Sequence, residues 1–556
     1  MIEELTPQLL HAMLLLVILL ASALTLLVSL IVLWLYRRSV LRAMASSAGA
    51  AREAPGSEPD EPATARYAFA RPGAAHDYRR ALREPWHVVW RCGIAGGMFA
   101  IVMAFAYCLA YPAMLTASRV LLMTWGYGWP VVLALTLTGP AGAAPKVLAV
   151  AAYFAPLVAF TVFDVLTPGA ATSRLAAGGV AAQYAMITPP DVVRAWLQGN
   201  APPTLLFLVF LNRRVRAVGS LVLGFVTLAT AGSMVTLLAL ATRRGMAALG
   251  WLRDVSGFAR AWWSLGIIVL AFVLSGVAAW WVLRGVRRGY LDKTLNDRSL
   301  TLDALWLMFG SWYAMWLSIT GLVWASAALV AFFAYKLAWL ALWAAAPTPQ
   351  GAGRGLVFLR VFSLGRRSDR LFDALSRHWR HIGSLQMITG PDVAQSTVQP
   401  HQLLDFLSGR LEEHFVASPC GVERAMAGRD TQPDRDGWFR VNNFFCHADT
   451  WRSVLAALVR DGDAVLMDLR SFSPRNAGCV HELEHIANFV PLDRCVLLAD
   501  ASTDEPFFRA TLREAWQHLV VDSPNRATEP DTVPLHAFGS GRAALHALLK
   551  RLCAAG

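Results

Sequence analysis

Apolar residues crowd the first two thirds of the chain and thin out after Pro347. Residues 12–35 form an uncharged run of the length that spans a bilayer. Runs of similar character recur at 92–115, 118–138, 147–167, 217–242, 263–284, 303–323 and 324–346. Residues 204–211 are apolar but too short to cross, and read as half of a broken or re-entrant helix. The pattern predicts roughly seven to nine spans. After residue 352 the period changes to short apolar strands alternating with amphipathic helices. Strands are expected at 356–362, 384–388, 439–445, 464–469, 495–499 and 533–538, and helices at 368–380, 401–415, 448–460, 477–489, 506–519 and 542–552. Near-continuous apolar strands in βα alternation predict a mostly parallel sheet covered on both faces, Rossmann-like or flavodoxin-like.

The expected organisation is an N-terminal membrane anchor (1–43), a flexible cytoplasmic linker (44–84), a multi-span α-helical membrane domain (85–347) and a C-terminal α/β domain (352–556). The linker is rich in Ala, Pro, Gly, Glu and Arg. Arg79, Arg80, Arg83, Trp86, Trp90 and Arg91 predict a short interfacial helix before the second span. Residues 418–437 carry Pro, Gly and many charges, and read as a surface insertion.

Composition narrows the class. Hydrophobic residues make up 56% of the 556 and charged residues 16%, which excludes an ordinary soluble protein. The formal net charge is +12, and much of the arginine flanks apolar runs. That is the positive-inside bias of membrane proteins. No basic stripe interleaved with aromatics points to nucleic acid. Glu3 and Glu4 precede the first run and Arg37, Arg38 and Arg42 follow it, opposite to a signal peptide. With Arg284, Arg287, Arg288, Lys293, Arg298 and Arg354, this places the C-terminal domain in the cytoplasm of an inner or plasma membrane. The seven cysteines show no C-x-x-C spacing and are expected to be free thiols. Asp164 and Lys336 lie near the ends of spans and are expected to snorkel. Trp306, Trp312, Trp316, Trp324, Trp339 and Trp343 are expected to include interfacial anchors.

Two loops of the α/β domain follow strand ends and open helices. The first runs from Ser363 to Asp369. There Gly365 lets the backbone approach a ligand, Arg366 and Arg367 offer planar donors for phosphate or carboxylate, and Ser368 is placed to cap the helix. Neither a dinucleotide fingerprint nor a P-loop is present. The second runs from Ser471 to Cys479 and leads into Glu482 and Leu483. A carboxylate then stands beside the carboxyl end of a strand, where open α/β sheets bind ligands.

Taken together, Val361, Phe362, Ser363, Arg366, Arg367 and Asp369, with Ser473, Cys479, Glu482 and Leu483, resemble the two loop patterns of the Toll/interleukin-1 receptor (TIR) domain family, over about residues 356–519. Asp468, Gly478 and a stretched spacing between the loops depart from the family's pattern. The resemblance implies a signalling or defence module that self-associates. In enzymatic members it implies Glu482 as the catalytic carboxylate for cleaving the nicotinamide–ribose bond of NAD, which is then a substrate rather than a cofactor. It also implies Ser363, Gly365, Arg366, Arg367, Asp369, Ser473 and Cys479 as nucleotide-binding positions. A carboxylate there would stabilise developing oxocarbenium charge. Two other readings stay open. His481-Glu482-Leu483-Glu484-His485 has the letters of a zinc-peptidase helix, although no third ligand is placed. The membrane region could alternatively be a transporter or channel regulated by its tail.

Overall fold

The computed structural model describes residues 23–43, 74–112, 115, 117–139, 142–166, 189–210, 216–345, 353–360, 366–389, 400–411, 415–416, 419–447, 450–539 and 541–555. The first part of the chain is helical: α1 (Ala23–Ala43), then α2 (Ala74–Ala110), α3 (Ala117–Tyr127), α4 (Trp129–Thr138), α5 (Ala143–Leu166), α6 (Pro189–Phe210), α7 (Arg216–Leu240), α8 (Arg243–Ser256), α9 (Arg260–Leu291), α10 (Asp297–Ser318) and α11 (Ala327–Ala344). Among the described residues, six helical stretches are long and apolar enough to cross a membrane: Ala23–Ala43, Asp77–Ala110, Arg119–Thr138, Val218–Leu240, Arg260–Leu291 and Leu322–Ala344. The chain forms two compact units, one made of residues 1–31, 88–289 and 295–346, the other of 32–87, 290–294 and 347–556.

In the first unit α10 is central. Asn296 caps it, accepting from the Ser299 amide at 2.9 Å while the Ser299 hydroxyl accepts from the Asn296 amide at 2.9 Å. Leu305, Trp306, Phe309 and Tyr313 bury one side after another of the helix, which packs on α4, α6, α7 and α11. The stretch expected as a span at 303–323 is therefore this buried centre, and is not among the six. Trp306, Trp312, Trp339 and Trp343 are buried packing residues rather than interfacial anchors, because α10 and α11 face each other and their neighbours. Small residues allow close approach elsewhere: a Cβ on Gly232 of α7 would collide with the Ser275 side chain of α9.

Of the half-helix expected at 204–211, residues 204–210 are instead the continuation of α6, and residue 211 lies outside the described residues. That helix keeps its course through Pro202 and Pro203. Pro202 lacks the N–H that would reach the carbonyl of Gln198, and Trp312 Nε1 donates to that oxygen instead, at 3.1 Å. Thr204 returns its hydroxyl to the Asn200 carbonyl at 2.6 Å. Asn200 Oδ1 in turn accepts from the Tyr313 hydroxyl at 2.6 Å. Lys336 does not snorkel. Its ammonium meets Asp303 Oδ2 at 2.6 Å, with 24% and 14% of the two side chains exposed. Asp164 lies in α5, and its side chain is outside what the structure describes.

The second unit holds a seven-stranded sheet, all parallel: β1 (Leu356–Arg360), β2 (Leu385–Thr389), β3 (Phe415–Val416), β4 (Val441–Cys446), β5 (Ala464–Asp468), β6 (Cys495–Ala499) and β7 (Leu535–Ala537). Their order is β3-β4-β2-β1-β5-β6-β7. The helices are α12 (Arg366–Trp379), α13 (Pro400–Leu407), α14 (Pro419–Ala427), α15 (Trp451–Asp461), α16 (Ala477–Phe489), α17 (Glu505–Gln517) and α18 (Arg542–Ala554). Side chains alternate along each strand. Val357, Leu359, Val465, Met467 and Leu497 face Leu455 and Leu458 of α15, Leu483 and Ile486 of α16, and Phe508 of α17. Leu356, Phe358, Leu466 and Leu498 face Leu375 and Trp379 of α12 and Leu549 and Leu552 of α18. Burial on both faces is why these strands read as continuous apolar runs.

Three expectations change here. The segment 418–437 is not a surface insertion: α14 places Val422 and Met426 in the core. The buried Asp434 Oδ1 accepts from Arg440 Nε at 2.8 Å. The helix expected over 401–415 stops at Leu407, because Ser408 and Gly409 turn the chain, Gly409 at φ +74°. Phe415 and Val416 then add an edge strand to β4. Finally, 74–84 is not linker but the start of α2. Its Ala81 is buried in the core and Tyr78 packs beside it.

The Asp303–Lys336 pair makes a testable point about the membrane unit. Lys336→Met alone should destabilise the detergent-solubilised protein by about 3–5 kcal/mol, because it strands a buried carboxylate. Asp303→Asn together with Lys336→Met should recover most of that loss in the same unfolding titration.

Candidate functional site

After β1 the chain moves to β2 on one side of the sheet, and it later returns to β5 on the other. The carboxyl ends of β1 and β5 therefore lie at a topological switch point, the position where doubly wound sheets bind ligands. Arg360 and Asp468, the last residues of the two strands, are register partners.

The β5 rim is built by a local clamp. Asp468 is fully buried and receives Arg470 twice, Nε on Oδ1 and Nη2 on Oδ2, each at 2.7 Å. This bidentate geometry suits a guanidinium and a carboxylate better than any other pair. Arg470 also donates to the Arg367 carbonyl at 3.4 Å and stands over the Phe538 ring at 5.4 Å. The next residue, Ser471, has a left-handed backbone, φ +60°, uncommon for a residue with a Cβ. Its amide and hydroxyl both meet Ser502 Oγ at 3.1 Å. Ser502 binds Asp500 Oδ1 through its amide and hydroxyl, and Arg367 Nη2 reaches Asp500 Oδ2 at 2.7 Å. Burial works against ionisation of Asp500. The Ser502 donors and the Arg367 and Arg470 guanidiniums more than offset it, so this carboxyl titrates below the ordinary aspartate range.

Helix α16 supplies the floor. Cys479 Sγ donates to the Arg360 carbonyl at 3.6 Å. One turn on, Glu482 is 2% exposed. Burial raises its pKa to about 8, although Cys479 and the Arg360 guanidinium favour the charged form. The carboxyl is therefore protonated at neutral pH. Its Oε2 has no hydrogen-bond partner among the described residues.

The residues singled out by sequence fare unequally. Arg367 is exposed at the switch point, Cys479 and Glu482 are buried beneath it, and Asp369 Oδ1 lies 4.0 Å from Arg360 Nη1. Ser363 and Gly365 lie outside the described residues, and Arg366 is described only as the first residue of α12. Ser473 serves the turn that starts α16: its amide and hydroxyl donate to Asn476 Oδ1 at 3.0 and 3.1 Å. Ser368 does not cap α12, because the helix already includes Arg366; its hydroxyl is buried inside. Arg360, Asp468, Arg470, Asp500 and Ser502 were not singled out by sequence. A charge closing an apolar strand, as in Arg360 and Asp468, was the available signal.

The zinc arrangement finds little support. The His481 and His485 ring centres are 6.4 Å apart, with His481 against Trp451 and His485 against Phe489. Glu482, which would have to act beside them, points into the core. Burial and the neighbouring His481 push His485 down to about 4. Among the described residues no three His, Cys, Asp or Glu side chains gather to hold a metal ion.

No protein-family model, curated protein or solved structure matches this chain.

Glu482 makes stability depend on pH. The unfolded chain releases this proton near 4.5, while the native state keeps it to about 8. Between those values the native state binds more protons, so this group's contribution falls as pH rises. His485 has the opposite slope between about 4 and 6.5. Comparing two variants that share His485 cancels it. Glu482→Gln should melt at nearly the wild-type temperature at pH 5, and should exceed it by several degrees at pH 8.5. Equal differences at both pH values would mean that the carboxyl is solvated.

Proposed function

We propose that this chain is a multi-pass protein of an inner or plasma membrane that holds a TIR-like α/β domain in the cytoplasm, where it signals by binding a nucleotide at the carboxyl ends of β1 and β5. The six apolar helical stretches support the membrane assignment. The arginines at 284, 287, 288 and 354 support the cytoplasmic side. The observation that carries the ligand reading is the switch point between β1 and β5. Arg367 stands exposed at this switch point, backed by the buried Arg360 and Arg470 guanidiniums. Guanidinium groups are the side chains best matched to phosphate oxygens, and helix α16 starts beside them. An exposed Arg367, held among the described residues by Asp500 and Ser502, can exchange those partners for a ligand phosphate.

Glu482 stands one helical turn below this rim, beside Cys479 and the end of β1. As a neutral acid it cannot stabilise an oxocarbenium-like centre by charge; as a carboxylate it can. Cleavage of the nicotinamide–ribose bond of NAD by this residue therefore requires its proton to leave. NAD consumption by the full-length protein in detergent should rise between pH 6.5 and 9, with a midpoint near the Glu482 pKa of about 8. Glu482→Gln should abolish it while leaving nucleotide binding intact. Arg367→Ala should weaken nucleotide binding about tenfold, the equivalent of about 1.4 kcal/mol. A rate that is flat with pH, or equal in Glu482→Gln, removes the catalytic role. Unchanged binding in Arg367→Ala removes the ligand role.

A further inference from the structure

Helix α2 begins before the span it leads into, and its first turns belong to the second unit. One face is fixed there. Ala81 and Pro85 are buried, the Ala81 carbonyl lies 3.1 Å from His378 Nδ1, and Asp77 Oδ2 lies 3.8 Å from Arg354 Nη1. With that face held, the opposite one is determined by helical periodicity. Arg79, Arg83, Trp86 and His87 fall on it at successive three- and four-residue steps, and all four are exposed. Arg79, Arg80, Arg83, Glu84 and His87 line an open depression of about 300 Å³. Three guanidinium groups face a single carboxylate there.

From this arrangement we infer that the Arg79–His87 face of α2 is a binding site for the phosphate of an anionic phospholipid headgroup. Its positive excess suits a phosphate diester, and the guanidinium fork binds such oxygens in pairs. Trp86, 46% exposed, lies one turn beyond Arg83. An indole favours the depth of the headgroups, where one edge is wet and the ring is not. The site lies in the first turns of a helical stretch, Asp77–Ala110, that is long and apolar enough to cross a bilayer. The site therefore occupies the place along the helix where a lipid phosphate is found, and a soluble anion would have no use for the exposed indole. The docked Ala81–Pro85 face keeps the arginines from rotating away, so little order is lost on binding.

Native mass spectrometry of the full-length protein in an uncharged maltoside detergent tests this, with phosphatidylglycerol, phosphatidylcholine and inorganic phosphate as separate probes. Wild type should bind phosphatidylglycerol about tenfold more tightly than phosphatidylcholine. Arg79→Gln with Arg83→Gln should bring the two lipids to within about twofold of each other. Arg79→Lys with Arg83→Lys, which keeps the charge but loses the fork, should fall between. A double Gln variant that retains the full preference overturns the site. So does inorganic phosphate that competes as tightly as the lipid, since the ligand is then a soluble anion. Should the Gln variant fail to fold, the Lys variant decides: an undiminished preference overturns the proposal, and a partial loss supports it.

Discussion

Everything in the C-terminal unit rests on burying a parallel sheet on both faces. β1, β5 and β6 expose almost nothing, and consecutive side chains enter opposite layers. A fully buried Leu, Val or Phe contributes about 1.5–3 kcal/mol. The central strands therefore accept few polar residues along their length. Charge is pushed to the strand ends, where loops can supply partners. Arg360 and Asp468 stand there, and both are sealed by neighbours as soon as the strands end. The candidate site is thus a consequence of the core, formed where apolar packing stops and the strand order reverses.

The polar groups at that rim are held in two different ways. Asp468 and Arg470 satisfy each other by a bidentate contact and form a rigid wall. Arg367 and Ser502 are exposed and hold the half-buried Asp500 and Ser471 in a hydrogen-bonded ring. The first arrangement is rigid and closed to solvent, and the second is open to it. Glu482 belongs to neither. It is neutral because the cost of desolvating a carboxylate exceeds what Arg360 and the Cys479 thiol return. Loss of its proton therefore makes the stability of this unit depend on pH.

In the membrane unit the same rule about unmet polar groups produces long-range contacts. Pro202 frees a carbonyl that Trp312 satisfies from another helix, and Lys336 meets Asp303 across 33 residues. These partners lie in helices whose sequences give no hint of each other. Lys336 looked like a chain end reaching for water, and Trp312 like a belt residue, because apolar length reveals that a helix exists but not what stands beside it.

Several features were legible from residue order alone: the division into an apolar region and an α/β tail, the parallel sheet, the loop after β5, and the position of Glu482 on a helix after β5. They were legible because hydrophobic period and strand alternation are local and repeat within a few residues. The order of strands, the edge pair Phe415–Val416, the core role of Val422 and Met426, and the Arg470–Asp468 and Arg367–Asp500 contacts were not. Each depends on which distant segments meet, and a single sequence carries no direct record of that. Glu482 shows the division most clearly. Its place on the helix follows from the pattern of neighbours, whereas its burial and its retained proton arise only when β1, α16 and the loop from β5 close around it, because desolvation is a property of the assembled surroundings.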